Sequence, residues 1–139
     1  MKSPILLLLL AAACSSGSPM AGGLPLNEFH YVGRSPAGMA VLDGRLHLDY
    51  RDDSTVSGSW EIRWLPGADT TLQAGPQVGS GQLSGRWHGT TLVLDLNPNY
   101  ADNNVILSAL PVGNGWSGTW AWATIGGIET EGHFTATAP

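Results

Sequence analysis

The chain has 139 residues, with six lysines and arginines against eleven aspartates and glutamates, and its formal net charge is −5 at pH 7. This acidic balance leaves no basic stripe that could neutralise phosphates, which argues against nucleic acid as a partner and against electrostatic docking on anionic lipid. The chain has one cysteine, so no intrachain disulfide can form and the fold must be held by its own packing.

The N-terminus predicts an export signal. Lys2 precedes an apolar run over residues 5–13, which is too short to span a bilayer core that needs about 20 residues. The run ends in Ala11 to Ala13 followed directly by Cys14. This stretch resembles the lipobox of bacterial lipoproteins, and the resemblance implies cleavage before Cys14 and attachment of acyl chains to it. The alternative is an ordinary signal peptide cut after the alanines, with no role for the cysteine.

The resemblance also implies a location. Lipoproteins without an aspartate directly after the cysteine usually go to the outer membrane, and Ser15 stands at that place, on a protein that could face the periplasm or the cell surface. Residues 1–13 are thus expected to be a signal peptide, and residues 14–23 the lipidated cysteine and a flexible tether rich in Ser, Gly and Pro. Removal of the signal takes away Lys2, the sole lysine, and leaves five arginines against eleven carboxylates, a net charge of −6.

The rest of the chain is one domain by length. Residues 24–38 have no clean hydrophobic period and could form a short helix or an irregular strand; we expect them to cover one end of the domain. Asp43 and Gly44 lie between two short alternating runs, which predicts a two-residue hairpin turn, because both turn positions favour positive φ. Residues 66–77 form the longest predicted loop. Loops of this length are often functional, so this one is a candidate lid.

A Ser-Gly-x-Trp pattern recurs at residues 57–60, 84–87 and 117–120, with an echo in Gly132 and Phe134. Side chains two residues apart share one face of a strand, so each copy predicts a strand with Gly and the aromatic facing inward. The sequence predicts an all-β fold. About eight short strands with hairpin turns form an antiparallel up-and-down meander over residues 39–139, and eight is a number of strands that closes into a small barrel.

Residues 39–137 resemble the small barrels of the lipocalin and avidin group. Lipocalins carry Gly-x-Trp on the first barrel strand, and the segment from Trp116 to Trp120 is similar to an avidin strand from which an aromatic side chain lines the vitamin pocket. The resemblance implies the barrel fold. It does not imply biotin binding, because the polar ligand-binding residues of the avidins have no counterpart in this chain.

The tryptophans are the candidate ligand-binding residues, since aromatic walls with a few polar groups are typical of small-molecule sites. The alternative is that they only fill the core. These six residues are Trp60, Trp64, Trp87, Trp116, Trp120 and Trp122.

The histidines predict no metal site. His30, His47, His88 and His133 lie on different segments, and no two of them have the i, i+2 spacing of ligands on one strand. Residues 97–104 are rich in Asp and Asn, but their spacing is that of no known calcium loop, so a turn is the better interpretation.

The chain also lacks a nucleophile-elbow serine and a phosphate-binding glycine loop. We therefore expect no enzyme and no cofactor. The function predicted first is a membrane-anchored, non-catalytic barrel for a small apolar or aromatic ligand. The alternative is a closed barrel whose outer face or loops bind a protein, as in inhibitor lipoproteins, or a structural envelope protein. The bilayer is a partner through the acyl anchor in each case.

Overall fold

The computed structural model describes residues 27–52 and 54–139. The expected signal peptide (1–13), the lipidation site Cys14 and the tether (14–23) lie outside the described residues. Within the described part of the chain, no helix has the length and apolar character needed to cross a membrane.

In the described residues, eight strands make up almost all of the regular structure, and a single 3-10 turn, Gly75–Gln77, accompanies them. The strands are β1 Glu28–Arg34, β2 Ala40–Tyr50, β3 Thr55–Trp64, β4 Gly79–His88, β5 Thr91–Asp95, β6 Asn103–Val112, β7 Gly115–Thr124 and β8 Gly127–Thr137.

The strands form a closed antiparallel barrel. Each strand pairs with the next in the chain, and β8 pairs with β1; His30 lies opposite Thr137 in this last pairing, and Arg34 lies opposite His133. Closure leaves no open sheet edge for another chain to join. The predicted all-β meander closing into a barrel is confirmed, and its architecture is consistent with a lipocalin-like barrel.

The first part of the wall differs from the prediction. Glu28–Arg34, expected to cover one end of the domain, form a wall strand between β2 and β8. The predicted turn at Asp43 and Gly44 is wrong, because both residues lie inside the continuous strand β2 and neither has the positive φ that such a turn requires. A Cβ at Gly44 would lie 2.7 Å from the Cα of Ile62. Gly44 therefore allows β2 and β3 to approach each other closely. Because β2 is one continuous strand, it is β1 that supplies the eighth strand of the barrel.

The glycines of the repeated pattern have a related role. A Cβ at Gly118 would lie 2.8 Å from the Cα of Ala109 on the neighbouring strand, so the absence of a side chain lets β7 approach the backbone of β6. At Gly132 the neighbour is a ring: a Cβ there would lie 2.6 Å from Nε1 of Trp120. The indole thus covers the glycine of the adjacent strand, an arrangement that protects exposed strand backbone.

The two ends of the barrel differ. We call the end formed by residues 35–39, 65–78, 96–102 and 125–126 the loop end. The opposite end, which holds Asn27, the turns that follow β2, β4 and β6, and the last residues of β8, is the turn end.

The loop between β3 and β4 closes the loop end from above. Gln77 on this loop has no exposed surface. Its Oε1 accepts a hydrogen bond of 2.9 Å from the hydroxyl of Tyr31, and its Nε2 donates to the carbonyl of Ala74 at 2.8 Å. Next to it, a Cβ at Gly75 would lie 2.8 Å from Cδ2 of the Trp122 ring. Residues 65–78 therefore act as a plug, which the buried Gln77 joins to Tyr31 of the wall.

Candidate functional site

The tryptophans do not converge on one site. Trp60 and Trp120 are buried inside the barrel, and their Nε1 atoms donate to the carbonyls of Leu96 at 2.7 Å and Arg34 at 2.9 Å. Both indoles are therefore satisfied by the chain itself. Near the loop end, Trp64 packs against the core from a half-buried position. The remaining three are Trp122, whose Nε1 donates to Oδ1 of Asn103 at 2.8 Å, and the pair Trp87 and Trp116.

The interior of the barrel is occupied by the side chains of its own wall. A side chain that lined a void large enough for a ligand would keep accessible surface toward that void. The core side chains from all eight strands keep 6% or less of their surface, and Trp120, Tyr31, Leu42 and Leu107 keep none. The packing is that of a filled core.

A small aromatic cluster lies at the turn end. The rings of Trp87 and Trp116 meet edge to face with centroids 5.1 Å apart, and Phe29 lies 6.4 Å from Trp116. Both tryptophans are half-buried. In the described part of the chain the Nε1 of Trp116 is the buried side-chain polar atom with no hydrogen-bond partner, and such an atom is costly to leave unpaired.

The outer wall formed by β1, β2 and β3 carries paired charges. Asp43 accepts from Nε2 of His30 at 2.6 Å and from Nη2 of Arg63 at 3.0 Å. The hydrogen bond from His30, followed by the charges of His30 and Arg63, holds the pKa of Asp43 below its usual value although desolvation acts against this. Arg45 similarly lies 3.5 Å from Glu28 and 3.4 Å from Glu61. These groups form ion pairs across the outer surface of the wall.

The histidines lie apart on the exposed outer surface, as the strand pattern predicts. Within residues 27–52 and 54–139, no three His, Cys, Asp or Glu side chains come together to hold a metal ion. The Asp and Asn cluster at 97–104 extends to Asp95 and bonds to itself: Asn104 Nδ2 donates to Asp95 Oδ2 at 2.8 Å, and Asn97 Nδ2 donates to the carbonyl of Asn103 at 2.7 Å. This network braces the loop between β5 and β6.

The feature that the sequence did not reveal is the exposure of large apolar side chains at the barrel ends. Ile125 is 93% exposed and Met39 is 69% exposed. Ile128 is 64% exposed and lies at the register shift between Trp122 and Ala123 in the pairing of β7 with β8. In the described part of the chain, five such side chains lie at the loop end: Met39, Val78, Tyr100, Ile125 and Ile128. Three lie at the turn end: Tyr50, Leu110 and Val112. Apolar residues at loop tips, where turn chemistry favours polar ones, are the signal that could have found them.

A groove of about 510 Å³ lies between the two loops at one side of the loop end, which are residues 35–41 and 65–72. Its lining is more apolar than polar and includes Met39, Val41 and Leu72. Its volume falls within the range of known ligand sites, roughly 300–1,000 Å³.

The four loops of the loop end carry two charges, Asp69 and Asp102, both negative and exposed. Glu129, three residues beyond the last of these loops, adds a third negative charge. The adjacent cation is Arg34 at the end of β1, and its Nη1 donates to the carbonyl of Gly38 at 3.3 Å. The loop end is therefore an apolar surface with an acidic margin.

Comparisons of the chain with protein-family models, curated proteins and solved structures find no match. A small barrel by itself indicates no activity, because one fold hosts many unrelated functions. The function is therefore argued from the surfaces described above.

Proposed function

We propose that this protein is an exported, lipid-anchored, non-catalytic barrel that binds another protein through its loop end. One observation carries the proposal: large apolar side chains gather at the exposed loop tips while the interior is filled. Exposed apolar surface that adjoins polar residues is typical of protein interaction sites. A rigid scaffold that presents loops is also the usual way in which a barrel or sandwich binds a partner.

The filled interior supports surface binding over internal binding. A ligand inside the barrel would have to displace side chains such as Trp120 and Leu107, which are fully buried. Displacing packed core side chains costs several kcal/mol, on the order of what their removal costs. Binding at the loop end requires no such displacement, because Met39, Tyr100 and Ile125 are already exposed.

The expected anchor also favours the loop end. Cys14, the proposed lipidation site, precedes β1, and β1 begins at the turn end, where the backbone N–H of Leu48 donates to the carbonyl of Asn27 at 2.7 Å. The tether therefore joins the domain at the turn end. The loop end lies at the opposite end from the point of attachment and is left accessible to a partner.

Site-specific photo-cross-linking in the native cells tests the proposal. A photoreactive residue is placed at Met39, Tyr100 or Ile125 on the loop end, and at Thr119 or His133 on the outer wall, all of which are exposed. The expected result is one discrete protein adduct shared by the loop-end positions and missing from the wall positions. Adducts from the wall alone, or from none of the positions, would contradict the proposal.

The second candidate function is the binding of a small aromatic ligand at the turn end, with Trp87 and Trp116 as binding residues. The observation that favours it is the unpaired Nε1 of Trp116 beside Trp87, since an indole N–H usually finds a partner when buried. The test is a titration with aromatic compounds that carry a hydrogen-bond acceptor, followed by tryptophan emission. We expect a bound compound to change the tryptophan emission of the parent protein and to leave that of Trp116→Phe unchanged. Unchanged emission across the panel would exclude this candidate.

A further inference from the structure

We infer that the groove between residues 35–41 and 65–72 takes a peptide segment of the partner, with a bulky apolar anchor side chain next to a lysine or arginine. The inference rests on the proposed function and names the chemistry of the partner at one site. Three properties of the groove support it: its lining, its stiffness and its charge.

The lining fits an apolar anchor. Val41 is buried at the base of the groove, and Leu72 is half-buried against the core. Met39 stands 69% exposed at its margin. Methionine is unbranched and polarizable, and it adapts to the shape of an incoming side chain. A buried apolar floor with an adaptable wall is how hot-spot pockets hold leucine or aromatic anchors.

Hydrogen bonds fix both loops before any partner arrives. In the first loop the N–H of Ser35 donates to the carbonyl of Met39 at 2.8 Å, and the N–H of Gly38 donates back to the carbonyl of Ser35 at 2.8 Å. The second loop is joined to β2 by the N–H of Leu65, which donates to the carbonyl of Val41 at 2.9 Å. A groove that is already shaped avoids most of the ordering entropy that binding would otherwise cost.

The charge of the groove selects a cation. Asp69 lies on its lining, and its Oδ1 accepts from the hydroxyl of Thr71 at 2.6 Å and from the N–H of Thr71 at 2.9 Å. These bonds hold the pKa of Asp69 below its usual value, so the carboxylate is ionised at neutral pH. The two loops carry no lysine or arginine, and the neighbouring cation, Arg34 at the end of β1, is bonded to the carbonyl of Gly38. Complementary charge at the margin of an apolar site is what orients a partner.

The same charge argues against two other occupants. An anionic bilayer would be repelled by Asp69, Asp102 and Glu129. A second copy of the chain would bring the same acidic loop end to the groove, since no lysine or arginine lies on the four loops. A separate partner with a basic, apolar segment is the occupant that the surface fits.

The test uses the purified protein and three fluorescent peptides of equal length. One contains leucine and phenylalanine anchors between lysines, the second has the same anchors between glutamates, and the third has serine and glycine between lysines. Fluorescence anisotropy measures binding. We expect the first peptide to bind at least tenfold more tightly than either of the others. Equal binding of all three, no binding, or preference for the glutamate peptide would overturn the inference.

Two variants place the binding in the groove. Ala37→Trp fills it from an exposed position on its lining and should abolish binding of the first peptide, while Thr119→Trp at an exposed position on the outer wall is the control and should not. Asp69→Asn keeps an oxygen for the bonds to Thr71 but removes the charge, and it should weaken binding about 2- to 5-fold, the effect of an exposed ion pair. Binding that survives Ala37→Trp would contradict the assignment to this groove.

The two proposals can fail separately. If the loop-end cross-links appear but the peptides do not bind, the loop end is the binding surface and the groove chemistry is wrong. If the lysine peptide binds in the groove but no loop-end position gives an adduct in cells, the groove assignment stands and the proposed function fails. Self-association of the protein that Ala37→Trp abolishes would identify a second copy as the occupant and overturn the inference.

Discussion

Gly118 and Ser117 are neighbours on β7 with opposite surroundings. A Cβ at Gly118 would lie 2.8 Å from the Cα of Ala109, whereas Ser117 is on the other face of the strand. We expect Gly118→Val to lower the free energy of unfolding by about 3 kcal/mol, because the added atoms must push β7 away from β6. Ser117→Val should change it by about 0.5 kcal/mol or less. Urea unfolding of both variants measures the difference, and similar midpoints would show that the strand pair tolerates a side chain there.

Tyr31 and Gln77 form the polar contact that joins the plug to the barrel core. Burial raises the pKa of Tyr31 well above its usual value, so its hydroxyl stays a neutral donor. Tyr31→Phe should cost about 1–3 kcal/mol, since it leaves the buried Oε1 of Gln77 without its donor. In a double-mutant cycle with Gln77→Leu, we expect a coupling energy of about 1 kcal/mol or more. Strictly additive effects would mean that the bond does not hold the plug in place.

The charged cluster around Asp43 joins β1, β2 and β3, because His30 and Arg63 reach it from both neighbouring strands. The lowered pKa of Asp43 means that its contribution to stability is present above the unfolded-state pKa of about 3.9 and is lost as the pH falls through the lower folded-state value. Asp43→Asn should therefore lower stability by about 1 kcal/mol at pH 7, and this deficit should shrink toward zero below about pH 3.9.

Urea midpoints of the parent protein and Asp43→Asn between pH 7 and pH 2.5 measure this deficit. Asp102→Asn, at an exposed position on the loop between β5 and β6, is the control and should show no comparable deficit. A deficit for Asp43→Asn that persists unchanged to pH 2.5 would show that the carboxylate charge is not its cause.

The elements show which parts of the fold the sequence could predict. Strict alternation in β3 and the Gly-aromatic pairs of β4 and β7 indicate burial on one face. Burial on one face is a local property, so these strands could be predicted from the sequence. The run around Asp43 and Gly44 misled the prediction because a glycine looks the same in a turn and in a close strand contact. Only the position of Ile62 across the sheet separates the two cases. The role of Glu28–Arg34 likewise depends on pairing with β8, far away in the chain.

The candidate site was less predictable than the fold. The tryptophans were visible in the sequence, but whether they line a space or fill it depends on how eight strands pack together. The loop-end groove is formed by two segments that lie about thirty residues apart in the chain. Nothing in the sequence indicates that Met39 and Leu72 line the same groove. Asp69 and Thr71 form a local turn that is recognisable from sequence, yet its use as a charged margin depends on the neighbouring loop.

At the scale of the whole molecule, the plug determines whether the barrel interior is sealed. Replacing residues 67–76 with a short Gly-Ser linker removes Gly75 from the face of Trp122 and withdraws the support of Gln77. We expect acrylamide to quench tryptophan emission more strongly in this variant, because water gains access to the indoles near the loop end. Glycine at the exposed positions Thr70 and Gln73 keeps the loop length and is the matched control. Equal quenching of the shortened variant and the parent would indicate that the wall alone excludes solvent.

The seam between β1 and β8 has a consequence for the order of folding. Because His30 pairs with Thr137 and Arg34 with His133, the first wall strand has no second neighbour until the last strand has been made. Contacts so distant in sequence are slow to form. A chain that emerges N-terminus first, from a ribosome or through a membrane channel, therefore cannot complete this pairing until β8 has emerged. Until then, the strand faces that carry Tyr31 and Trp120 and later form the core stay exposed to solvent. Emergence of β8 is the event that permits the wall to close.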